Sequence, residues 1–88
     1  MIYMIVTWSL HAQDRFIERV AKYNINYGDV EFEVKKQKVK IKEEDKIKTI
    51  FKIPPIFLTI IKKETKEYIL ILTLWESSEE EERLWKTK

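Results

Sequence analysis

The 88-residue chain has no cysteine, one glycine and two prolines. Without cysteine it can form neither a disulfide nor a zinc or iron–sulfur site with thiolate ligands. The lone Gly28 excludes a glycine-rich phosphate-binding loop, and no serine is flanked by glycines as in a nucleophile elbow. The composition therefore favours a cytoplasmic protein whose chemistry does not depend on thiols.

Long apolar runs are also missing. No run approaches the ~20 residues of a membrane-spanning helix, and "MIYMIV" is too short for a signal-peptide core and lacks a basic leader. We therefore expect one soluble domain over residues 1–88 with no membrane partner. A domain of this size buries only a modest core, so the sequence is compatible with a homodimer as well as with a monomer.

Charged residues make up 36% of the chain, yet they nearly cancel to a net charge of +2. Lysines crowd residues 35–48 and glutamates crowd residues 79–82, so the charge is separated along the chain. The abundance of Ile, Lys and Glu resembles that of proteins from thermophiles, in which ion-pair networks contribute more to stability.

The first residues predict a strand followed by a helix. "YMIVTW" is rich in β-branched and aromatic residues and predicts a strand from about Tyr3 to Trp8. Ser9 is placed to cap a helix from Leu10 to about Tyr23. The residues of this helix that we expect to be buried are Leu10, Phe16, Ile17, Val20 and Ala21.

The second half of the chain predicts an antiparallel meander. Four β-rich runs, "KVKIK", "KIKTIFKI", "IFLTIIK" and "YILILTLW", are separated by short connections. The last two runs are nearly all apolar and should be the central strands. Alternation of apolar and charged residues places five side chains on one sheet face: Val39, Ile41, Ile47, Phe51 and Ile53.

"ESSEEEERLWKTK" predicts a short C-terminal helix. Ser77 or Ser78 is followed three residues later by glutamate, which is the pattern of a capping box. The adjacent apolar residues Leu84 and Trp85 need cover, which makes them candidates for binding a protein partner.

Residues 27–36 fit two structures. "VEFEVKK" alternates as a strand does, whereas Tyr27, Val30 and Val34 are spaced for a short helix. We favour the helix, for a reason given with the resemblance below.

The helix that begins at Leu10 carries His11, Arg15 and Arg19 at intervals of four, so they form one leaning stripe. An ordinary solvated helix face would look the same. The functional interpretation is that a histidine can move a proton near neutral pH while arginines hold phosphate oxygens. This trio could bind a phosphodiester, and could cleave RNA with the 2′-hydroxyl as nucleophile and without a metal or cofactor.

Lysines offer a second candidate site for nucleic acid, and the alternative is a solvated sheet face. The candidate nucleic-acid-binding lysines are Lys22, Lys36, Lys38, Lys40 and Lys42. A metal site is the weaker option, because one histidine would need Asp14 and Glu18 as further ligands, and that arrangement has no strong sequence pattern.

His11, Ala12, Arg15 and Arg19 read H-A-x-x-R-x-x-x-R, which resembles a family of small domains related to the RelE and BrnT ribonuclease toxins. In that family an isoleucine and a short helix with an acidic–aliphatic pair follow the second arginine. Ile25, Asp29 and Val30 are similar, which favours helix over residues 27–36. The resemblance implies a RelE-like meander, action on RNA, an antitoxin partner, and a site formed by the histidine and the two arginines.

We therefore expect an α+β domain with an N-terminal strand, one or two helices, an antiparallel sheet of about four strands and a C-terminal helix. The favoured function is a toxin-type, metal-independent endoribonuclease, with His11 as general acid or base and Arg15 and Arg19 on phosphate. The alternative is a non-catalytic module that binds nucleic acid through lysines or a protein through Leu84 and Trp85. A virus- or plasmid-encoded structural or anti-defence protein stays open.

Overall fold

The computed structural model describes residues 5–36 and 39–87, which form an α+β fold. None of the helices in these two ranges is long and apolar enough to span a bilayer. The elements are β1 (Ile5–Trp8), α1 (Leu10–Arg19), a 3-10 turn (Ala21–Tyr23), α2 (Tyr27–Val34), β2 (Val39–Glu43), β3 (Lys46–Ile53), β4 (Ile56–Glu64), β5 (Tyr68–Glu76) and α3 (Glu79–Lys86). The predicted helix over residues 27–36 is confirmed as α2. The predicted start of the first strand, Tyr3, lies outside the described residues.

Ser9 caps α1 as predicted, because its Oγ accepts a hydrogen bond from the Ala12 amide at 3.0 Å. The same hydroxyl donates to the Leu72 carbonyl at 2.9 Å and so fixes the start of α1 to β5. The α-helix ends earlier than predicted, at Arg19, and the chain continues as a 3-10 turn. Asn24 then takes a left-handed conformation with φ of 63°, which asparagine tolerates, and the helical path stops there.

The buried face of α1 differs from the predicted one. Ala12, Phe16 and Val20 are the residues that face the sheet. Leu10 and Ile17 are 80% and 63% exposed, and Ala21 is exposed as well. Residues four apart share one stripe, whereas Leu10 and Ile17 lie roughly 100° around the helix from its centre. The prediction of the buried set was therefore wrong for three of its five members.

The five strands form one sheet in the order β1-β5-β4-β3-β2. The four later strands pair antiparallel as predicted, and β4 and β5 are interior strands. β1 adds a fifth strand that pairs parallel with β5, with Ile5 opposite Tyr68. The sheet contains both parallel and antiparallel pairs because of the path of the chain. α1 and α2 cross one face of the sheet and lead from β1, at one edge, to β2, at the other edge. The antiparallel meander then runs back across the sheet and ends with β5 beside β1.

Helices cover both faces of the sheet. The main core lies under α1 and α2 and includes Phe16, Val30, Phe51 and Leu58. On the other face, Lys48 and Trp75 hold α3.

The predicted common face of β2 and β3 was wrong. Glu43 pairs with Lys46 across a two-residue turn, so Ile41 pairs with Lys48 and faces α3 while Ile47 pairs with Lys42 and faces α2. Turn length sets this register, and a shift of one residue exchanges the faces.

α3 begins with the predicted capping box, formed by Ser78 and Glu81. The Glu81 carboxylate also accepts hydrogen bonds from Trp75 Nε1 at 3.0 Å and from Lys48 Nζ at 2.8 Å. Burial would raise the pKa of Glu81, but the bonds from Lys48, Ser78 and Trp75 outweigh burial and lower it to about 2. This carboxylate therefore joins the start of α3 to β3 and β5.

Lys62 is a fully buried lysine on the face that α2 covers. Its Nζ lies 2.6 Å from Glu64 Oε2 and donates to the Val34 carbonyl, in the last turn of α2, at 3.3 Å. Lys40 Nζ lies 3.7 Å from the other Glu64 oxygen. Burial lowers the pKa of Lys62, while burial would raise the pKa of Glu64 but the Lys62 pair lowers it. The pair fixes the C-terminal end of α2 to β4.

The Glu81 contacts predict an acid-labile fold. A carboxyl group with a folded-state pKa of about 2 and an ordinary value of 4.5 stabilises the fold above pH 4.5 and loses that contribution as the pH falls through 2. We expect denaturant-measured stability to fall from about pH 5 to pH 2, and Glu81→Gln to lower neutral stability by about 1 to 3 kcal/mol and flatten this dependence. Glu82→Gln is the matched control, and an equal flattening in that variant would contradict the assignment.

The Lys62 contacts predict a large cost for removing one partner only. Lys62→Met leaves the partly buried Glu64 with only the longer Lys40 contact and should lower the free energy of unfolding by about 1 to 3 kcal/mol. Lys62→Met combined with Glu64→Gln should recover part of this loss, because the charge that lost its closest partner is gone. Urea unfolding of the three proteins measures both effects, and a double variant less stable than Lys62→Met would refute the pairing.

Candidate functional site

The predicted stripe of His11, Arg15 and Arg19 lies on an exposed flank of α1, about 100° around the helix from the buried stripe of Ala12, Phe16 and Val20. His11 and Arg19 are exposed, and the Arg15 side chain is 35% exposed. Each step of four residues turns the direction by about 40°, so Arg19 lies nearer to the sheet than His11 does. All three side chains are open to an anion from solvent.

Arg15 lies between a base and an acid. Its Nε donates to His11 Nε2 at 3.5 Å, and its Nη1 donates to Glu18 Oε2 at 3.3 Å. Both contacts are long and exposed, and such pairs contribute at most about 1 kcal/mol. Arg15 can therefore exchange them for a phosphate at little cost.

An aromatic cluster packs against the buried side of α1. Phe16 stacks on Tyr27 with ring centroids 4.1 Å apart, and Trp8 meets both rings edge-on at 5.5 and 4.8 Å. Trp8 Nε1 also donates to Glu31 at 2.9 Å. The cluster joins β1, α1 and α2, so the stripe stands on packed elements of defined orientation.

The candidate lysines do not form one free patch. Lys22 lies 5.3 Å from the centroid of the Tyr23 ring, and Lys36 pairs with Glu33 at 3.2 Å. Lys40 and Lys42 share one face of β2, and Lys40 is near Glu64. Lys38 lies outside the described residues. Three of the four described lysines thus have an intramolecular partner, whereas Lys42 is exposed and forms no ion pair or cation–π contact with the residues that the structure describes.

The structure separates the two predicted partner-binding residues. The Trp85 ring packs edge-on against Phe57 at 5.2 Å, so Trp85 faces the sheet. Leu84 is 40% exposed and lines a shallow groove of about 360 Å³ with Glu80, Arg83 and Thr87. Leu84 is the more exposed of the pair, and Trp85 is half-buried.

A cleft that the sequence did not indicate lies between the 3-10 turn, α2 and the end of β3. Its volume is about 330 Å³. The residues that line this α2 cleft are Tyr23, Asn24, Ile25, Asp29, Phe32, Glu33, Ile53 and Pro54. Asp29, Phe32 and Glu33 have helical spacing, and they would have indicated a shared surface had the helix been certain from sequence.

The described residues contain no group of three or more His, Asp or Glu side chains that could hold a metal ion. Comparisons of the chain with family models, with curated proteins and with solved structures found no match. The relation to RelE and BrnT toxins stays a prediction, carried by the motif in α1 and the order of the elements.

Proposed function

We propose that this protein acts on RNA as a toxin-type, metal-independent endoribonuclease, with the α1 stripe as its site. One observation carries the proposal, namely the contact of Arg15 with His11 on the exposed side of α1. RNA cleavage through the 2′-hydroxyl is accelerated by an acid–base group and by a cation that stabilises the phosphate charge, and this contact places one of each within hydrogen-bond distance. The resemblance to RelE and BrnT toxins supports the same site and an antitoxin partner.

In this proposal, phosphate binding prepares the base. When the Arg15 guanidinium donates to a phosphate oxygen, it no longer donates to His11 and Glu18. The lone pair on His11 Nε2 is then free to accept a proton. The imidazole accepts the proton of the 2′-hydroxyl, whose oxygen attacks the adjacent phosphorus. The bond from phosphorus to the 5′-oxygen breaks, the imidazolium returns the proton to that oxygen, and a 2′,3′-cyclic phosphate and a 5′-hydroxyl result. Arg19 stabilises the added negative charge.

The second candidate is a module that binds nucleic acid without cleaving it. The exposure of His11 and Arg19 favours it, because electrostatic stabilisation of a transition state is weaker in a site open to water. Both candidates use the same cations, so cleavage and binding must be measured separately.

The endoribonuclease proposal predicts that His11→Ala lowers cleavage of a labelled single-stranded RNA by about 10²- to 10⁴-fold, in EDTA and at low salt. His11→Ala should keep the circular dichroism spectrum and the unfolding midpoint, because His11 is exposed. Cleavage that persists in the folded variant would remove His11 from the mechanism. Cleavage that EDTA abolishes would remove the metal-independent mechanism.

The binding step predicts a salt signature. Arg19→Ala should weaken RNA binding and reduce the slope of log affinity against log salt by about 0.7, the value for one phosphate contact on a single strand. Arg83→Ala on α3 removes the same charge and should leave the slope unchanged. Binding without cleavage by the wild type would establish the non-catalytic module, and an absence of binding at low salt would exclude both candidates.

A further inference from the structure

The α2 cleft combines two carboxylates with two aromatic rings. Asp29 and Glu33 lie on one side of α2, and Phe32, which is 62% exposed, lies between them in sequence. Tyr23 lines the cleft as well, and its hydroxyl donates to Glu76 at 3.0 Å. Carboxylates beside aromatic faces attract organic cations by charge and by cation–π interaction.

Two of the chain's own ammonium groups already lie against these rings. Lys36 Nζ is 4.5 Å from the centroid of the Phe32 ring and 3.2 Å from Glu33 Oε2. Lys22 Nζ is 5.3 Å from the centroid of the Tyr23 ring. Lys36 therefore contacts a carboxylate and an aromatic face at once. This contact within the molecule is an example of a cation bound at this surface.

We propose that the α2 cleft binds an arginine side chain of a basic peptide segment from a partner protein, and that this arginine displaces Lys36 from Phe32 and Glu33. A planar guanidinium stacks on an aromatic ring and bonds a carboxylate through two parallel N–H groups, which an ammonium cannot do. The partner is a peptide because the exposed Pro54 lines the cleft beside the acids. An apolar residue next to the arginine would cover this proline.

Displacement of Lys36 is inexpensive. The Lys36 side chain is 55% exposed, and an exposed pair three residues apart on a helix contributes little. Lys36 acts as an internal competitor for the cation site. Its removal should strengthen peptide binding, whereas the loss of an unrelated lysine should not.

This surface is independent of the RNA site on α1. The α2 cleft carries carboxylates and would repel a phosphate backbone, whereas the stripe of His11, Arg15 and Arg19 would repel a basic peptide. Failure of one proposal therefore leaves the other standing.

The experiment is a titration of ¹⁵N-labelled protein with an N-acetylated, C-amidated peptide that holds one arginine between two leucines. Its control is the same peptide with citrulline, which is neutral and nearly isosteric with arginine. We expect the arginine peptide to shift the amide signals of residues around the α2 cleft and the citrulline peptide to bind about tenfold more weakly. Equal binding of the two peptides would overturn the proposal.

Variants of the protein complete the test. Glu33→Gln should weaken binding of the arginine peptide by about tenfold, and Glu67→Gln should leave it unchanged. Lys36→Ala should tighten binding severalfold, while Lys35→Ala, which removes the same charge one residue away, should have at most a small effect. Equal effects of the two lysine variants would show a general charge effect and refute the competitor role of Lys36.

A small-cation arm identifies the source of the cation. Spermidine should bind more weakly than the arginine peptide, because it has neither a guanidinium nor an apolar side chain for the cleft. Spermidine binding as tight as that of the peptide would overturn the assignment of a protein partner.

Discussion

The packing of Trp8, Phe16 and Tyr27 is the interaction on which the arrangement of the helices depends. The three rings come from β1, α1 and α2, and their centroids lie between 4.1 and 5.5 Å apart. Because α1 also buries Ala12 and Val20, its rotation about its own axis is fixed. The outward direction of His11, Arg15 and Arg19 follows from that rotation. The candidate RNA site is thus a consequence of core packing on the adjacent side of the same helix.

Charged groups are part of the interior on both sides of the sheet. Lys62 and Glu64 hold the end of α2 on one face, and Glu81 with Lys48 holds the start of α3 on the other. In each case a carboxylate and an ammonium share a site with little solvent, where a lost partner costs more than it would at the surface. A small domain with a modest apolar core gains fixed helix positions from these pairs.

Local patterns in the sequence predicted the elements well and the buried faces less well. Ser9, Ser78 and Glu81 act on backbone groups within three residues, so the two helix starts are visible in sequence. Leu10 and Ile17 are apolar and suitably spaced, yet the sheet meets α1 on Ala12, Phe16 and Val20. The small side chain of Ala12 allows α1 to approach the sheet closely. A prediction based on hydrophobicity alone does not take side-chain size into account. The buried Lys62 was equally hidden, because a lysine in a strand normally faces solvent.

The sequence by itself determined the α+β class, the meander, the capped helices and the four-residue spacing of the histidine and arginines, because each depends on contacts between neighbours in the chain. Only the tertiary structure decided that β1 pairs parallel with β5, that Ile41 and Ile47 face opposite sides, and that Arg15 contacts His11. It also decided that residues from α2, the 3-10 turn and β3 meet in one cleft. These features bring together residues that are distant in sequence, or they depend on which side of an element is buried. They are decided by the relative stabilities of alternative packings of the whole chain.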